Sequence, residues 1–69
     1  MKKIEILNEI EATRYASRMA LYKGEHIESA ALDRVTDRLI AKAENELKIE
    51  WAEIKKALET ANEKARANK

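Results

Sequence analysis

Five basic side chains are the residues whose type and spacing suggest chemistry. Arg34, Arg38 and Lys42 recur every four residues, and Arg14 and Arg18 do the same upstream. On an α-helix that spacing gathers each set onto one face. If the two segments pair antiparallel, both sets reach a similar height. A cluster of cations at one height is what a phosphate backbone binds. The opposing reading is a solvated, salt-bridged face, because Asp33 and Asp37 stand beside the arginines in sequence. From Ala12 to Ala43 six cations face four anions, a local excess of two. Nucleic-acid contact through Arg14, Arg18, Arg34, Arg38 and Lys42 is therefore the second expectation, not the first.

The other reactive side chains form no working set. His26, the only histidine, falls two residues before Glu28, which fits no Glu-x-x-His pair of a di-metal bundle. There is no cysteine, so thiolate metal sites and disulfides are excluded. Thr13, Ser17, Ser29 and Thr36 lack the surroundings of a nucleophile. A phosphate-cradling loop needs several glycines, and Gly24 stands alone. The expectation is a protein without enzymatic activity, metal or cofactor. Tyr15, Met19, Tyr22 and Trp51 could anchor a partner. They lie on apolar helix stripes, however, so packing in a core is the first expectation for them.

The elements that would position these residues are helical. Helix 1 is expected over about Lys3 to Tyr22, with Glu5, Glu9 and Glu11 toward the end where the helix dipole favours anions. Ile6, Leu7 and Ile10 lie on one side of it; Ala12, Tyr15, Ala16, Met19 and Tyr22 lie on another. Two offset stripes predict a helix with more than one neighbour, as in a bundle of four. Lys23 to His26 form the turn, with Gly24 free to take the left-handed conformation that ends many helices.

Downstream, from Ile27 to Lys69, there is neither glycine nor proline. Leu32, Val35, Leu39, Ala43, Leu47, Trp51, Ile54, Leu58, Ala61 and Ala65 follow one another at three- or four-residue steps. That stripe predicts a second helix over about 27–66, roughly twice the length of the first. A short helix can cover it only to about Leu47. Trp51, Ile54, Leu58 and Ala61 are then left in water, each large side chain forgoing about 1.5–3 kcal/mol of burial. The overhang must pair with a second chain, or the chain must break near Glu44–Leu47 and fold a third helix back. Asn45 is the only turn-forming residue there, so the continuous helix is the expected outcome. Ile40 and Ile49 lie off the stripe, Ile49 nearly opposite it, and would serve a second contact surface in a larger assembly.

At 69 residues the chain is one domain near the lower limit for folding alone, and oligomerisation is the stabilising device left to it. The expected fold is an all-α helical hairpin that dimerises into an antiparallel four-helix bundle. Its interface would be Tyr15, Met19, Tyr22, Leu39, Leu47, Trp51, Ile54 and Leu58. The alternative is a three-helix bundle. Charged residues make up 39% of the chain yet sum to only +1, and 45% of residues are apolar. That balance argues against disorder, a DNA mimic and a generic polyanion binder. No apolar run approaches a membrane span, and no signal peptide is visible behind Met1, Lys2 and Lys3. The chain reads as a complete small cytoplasmic protein, of a size that suits a phage or mobile-element product.

The outline resembles small dimeric hairpin proteins that pack as four-helix bundles, some of which bind RNA, and small helical co-chaperones of secretion systems. Such a likeness of shape carries no function. The functional expectation is an adaptor, inhibitor or regulator that pairs with itself and with another protein. Nucleic-acid binding and a structural role in a larger assembly are the alternatives.

Overall fold

A computed structural model describes residues 2–69 and shows an all-α bundle of three helices. Helix α1 spans Lys3–Tyr22, α2 His26–Asn45 and α3 Trp51–Ala67. Among the described residues no helix is long and apolar enough to cross a membrane.

Helix α1 ends where glycine permits it. Gly24 has φ +80°, the Glu25 amide donates to the Ala20 carbonyl at 2.9 Å, and the Gly24 amide donates to Leu21 at 3.0 Å. This paired closure satisfies carbonyls that a helix end otherwise leaves unpartnered. Helix α2 then runs back antiparallel, pairing Arg14 with Asp33 and Ser17 with Ser29.

The long second helix expected over about 27–66 does not exist. Helix α2 stops at Asn45 and the chain turns through residues 46–50. The stop is made without glycine or proline. Lys48 takes φ 55°, the left-handed region, and the Ile49 amide reaches back to the Ala43 carbonyl at 3.0 Å. A lysine there costs about 1–2 kcal/mol. What offsets it is Ile49, which the turn drives into the core, 6% exposed. Helix α3 then runs parallel to α1. Lys3 meets Glu53 at one end (2.7 Å), and the Lys69 ammonium lies 5.1 Å over the Tyr22 ring at the other.

The three-helix arrangement is thus the one observed: α2 ends at Asn45, within the expected Glu44–Leu47 window, and the turn runs on to Glu50. It also removes the uncovered overhang. Ile54 and Ala61 are fully buried against α1, and Leu47 and Leu58 pack on the same core. Four of the eight residues expected between chains, Leu39, Leu47, Ile54 and Leu58, therefore belong to the interior of one chain or its margin. Ile40 and Ile49, expected on an outer surface, also join this core.

Helix α1 is the shared element. It packs on α2 and on α3, while α2 and α3 scarcely meet. The two neighbours that its offset stripes required are both in its own chain. The apolar core sits at the end where α1 begins, built from Ile6, Ile10, Ala43, Ile49 and Ile54. Toward Gly24 the α1–α2 seam turns small and polar. Ser17, Ser29 and Thr36 are buried there beside Ala20. The Ser17 hydroxyl donates to Asp33 at 2.6 Å and accepts from the Ser29 hydroxyl at 3.2 Å. The Thr36 hydroxyl donates to Thr13, which donates to the Glu9 carbonyl. Buried hydroxyls satisfied in this way fix which residue faces which, a specificity an all-alanine seam would lack.

Candidate interaction surface

Helix α2 shows its inner and outer faces by burial. Ser29, Thr36 and Ala43, seven residues apart, are buried against α1. Two residues on from any of them is about 160° around the helix. Ile27, Ala31, Arg34 and Arg38 each stand two residues from Ser29 or Thr36, and all four are exposed. Ile27 is 88% exposed and Val35, beside this row, 39%. Single exposed apolar residues are ordinary. Ile27, Ala31 and Val35 recur every four residues on one side of one helix, which makes a stripe.

The five-residue basic band does not form as one surface. Arg14 turns inward, its Nη1 3.1 Å from Asp33 Oδ1, with a side chain only 15% exposed. Its Nε is buried without a hydrogen-bond partner. Arg18 reaches across to α3, where its Nε donates to Asn62 Oδ1 at 3.3 Å. Both therefore tie α1 to its neighbours. Arg34 and Arg38 point to the opposite side of α2, with half-buried Lys42 alongside. Adjacency in sequence also misplaces Asp33. It lies about 100° from Arg34 on the helix and pairs with Arg14 and Ser17 instead. Asp37, one turn on from Asp33, shares that side.

The aromatic group divides likewise. Tyr15 and Met19 are half-buried on α1, and Tyr15 lines a shallow depression with Glu11, Ala12, Lys64 and Asn68. Tyr22 is exposed beneath the Lys69 ammonium, a geometry favourable for cation–π attraction. Trp51 opens α3 and is 53% exposed. Ile4, 67% exposed, borders a separate hollow with Leu7, Lys3 and Glu53.

The hydroxyls and carboxylates with chemical potential serve the fold. Ser17 bonds both Ser29 and Asp33, and His26 stands exposed at the first residue of α2. Among the described residues no group of three or more His, Asp or Glu side chains could hold a metal ion.

No family model, characterised protein or solved structure matches the chain.

Proposed function

We propose that the protein is a small non-enzymatic interaction module that docks on another protein through the outward face of α2. The observation that carries this reading is the apolar row Ile27, Ala31 and Val35, which faces away from a bundle whose core is already built. An aliphatic row in water stabilises nothing in the free chain. In a groove on a partner it would supply anchors one turn apart, the usual pattern of helix-in-groove recognition.

A second copy of the chain is the weaker candidate for that partner. Pairing into a four-helix bundle was to be driven by an uncovered stripe on the second helix, and Ile54, Leu58 and Ala61 now pack within the chain. Of the expected interface residues only Tyr22 and Trp51 remain exposed, at opposite ends of the molecule.

Site-specific photocrosslinking in the native cells tests the module reading. A photoreactive residue replacing Ala31 is expected to give a protein adduct of discrete mass. The same residue replacing Glu59, exposed on α3, is expected to give none. Adducts only to nucleic acid, or no adduct from either position, would contradict the reading.

A further inference from the structure

The outward face of α2 is cationic as well as apolar. Arg34 and Arg38 share it with Ile27 and Ala31, and Lys42 borders it beside Val35. The acids of α2 lie elsewhere or at its borders. Asp33 is engaged with Arg14 and Ser17, and Asp37 and Glu44 follow on its side of the helix. Glu28 borders the outward face near its N-terminal edge, and exposed Asp37 borders it on the other side, one turn from Arg34. Among the described residues no carboxylate lies within ion-pair distance of Arg34, Arg38 or Lys42. Three cations and an aliphatic row thus share about 22 Å of one helix side, the rise from Ile27 to Lys42.

We infer that this face receives an acidic amphipathic helix of a partner protein. The partner's apolar side lies on Ile27, Ala31 and Val35, and its flanking carboxylates meet Arg34, Arg38 and Lys42. The inference rests on the interaction-module reading and names the chemistry of its partner. Charge complementarity selects the occupant. A second copy presenting the same face would set three cations against three. A bare phosphate backbone would answer the cations but leave Ile27 and Val35 against a polar surface. An acidic helix with an apolar stripe answers both the aliphatic row and the cations from Arg34 to Lys42.

The test uses the full chain and a displayed library of helical peptides about four turns long. Apolar residues are fixed at helical spacing, and the flanking positions are randomised among Glu, Gln and Lys. Selection is expected to enrich Glu at the flanks. A selected peptide is expected to shift the amide resonances of residues 27–42 and to weaken as salt rises past about 0.5 M. The double variant R34A/R38A keeps its helix content, since both side chains are exposed, and loses at least about threefold in affinity.

Peptides selected without charge preference, or enriched in Lys, would overturn the acidic partner. The module reading would still stand if Ala31 crosslinks to protein. A selected peptide that shifts α3 instead would overturn the choice of surface. If no peptide is selected, the inference fails. Shifts at Arg34 and Arg38 from duplex DNA or RNA, with no peptide selected, would overturn the module reading as well.

Discussion

Replacing Ile54 and Trp51 separately distinguishes a helix folded back within one chain from a helix paired between chains. They lie three residues apart near the start of α3 and belong to the same apolar stripe in sequence. In the structure Ile54 is fully buried between Ile6, Ile10 and Ile49, whereas Trp51 is 53% exposed. Ile54→Ala removes buried methyl and methylene groups from a packed site and is expected to cost about 2–5 kcal/mol. A domain of this size has a total stability of about 3–10 kcal/mol. The variant therefore loses a large share of its fold at room temperature. Trp51→Ala, at a half-exposed position, is expected to cost no more than about 1 kcal/mol. Urea denaturation followed by helix circular dichroism measures both, and each is repeated at two protein concentrations well apart. Stability falls for Ile54→Ala alone, and the midpoint does not move with concentration. Equal losses at both positions, or a midpoint that rises with concentration, would refute the folded-back arrangement, because either would mean that the stripe is buried between chains.

Further expectations concern the turns and the polar seam. Gly24→Ala lowers stability by about 1 kcal/mol through backbone strain alone, since an added Cβ meets nothing within 4 Å. Lys48→Gly raises stability by about 0.5–1 kcal/mol by relieving the left-handed lysine; thermal melts with opposite shifts would show both. Arg14→Met costs less than Asp33→Asn in the same melts. The first leaves Asp33 hydrogen-bonded to Ser17 and partly solvated, while the second strands a guanidinium that is mostly buried. A larger loss for Arg14→Met would contradict that reading of the seam. Lys3→Ala and Lys64→Ala each change stability by less than about 0.5 kcal/mol, because the Lys3–Glu53 and Lys64–Glu11 pairs are largely solvated.

Helix α1 and its glycine stop were legible because both carry strong local signals: good helix formers, acids near the start, and one residue able to take φ +80°. The second turn was legible only as the alternative, from the length mismatch between the helices and not from a local turn signal. Glycine and proline mark turns from sequence, and the 46–50 turn has neither. Its defining conformation falls on a lysine, whose strain is compensated by tertiary packing and not by its own propensity. One trace did exist: Ile49 lies nearly opposite the stripe of Leu47, Trp51 and Ile54. On a continuous helix it would be stranded in water. In a turn it becomes one of the five buried residues of the core.

The polar seam was hidden for a different reason. Apolar periodicity finds helix contacts made by large aliphatic residues, whereas α1 and α2 meet toward Gly24 through Thr13, Ser17, Ser29 and Thr36. The arginine band failed on rotation. Equal spacing places residues on one face of their own helix, but says nothing about whether that face turns inward. Arg14 and Arg18 turn toward neighbouring helices, and Arg34 and Arg38 away from them.

The proposed docking face depends on α3 folding back, so that α2 presents its outward side while the Ile54–Leu58 stripe is withdrawn. A spin-label distance between Ala31→Cys and Glu63→Cys tests this most directly, in a chain that has no other cysteine. Both positions are exposed, and both lie toward the Gly24 end of the bundle. The folded-back chain predicts a single distance shorter than the 34 Å long axis of the molecule. A continuous helix would separate the two labels by about 48 Å. A distance near that value would contradict the account and return the Trp51–Leu58 stripe to the surface as the place where a partner binds.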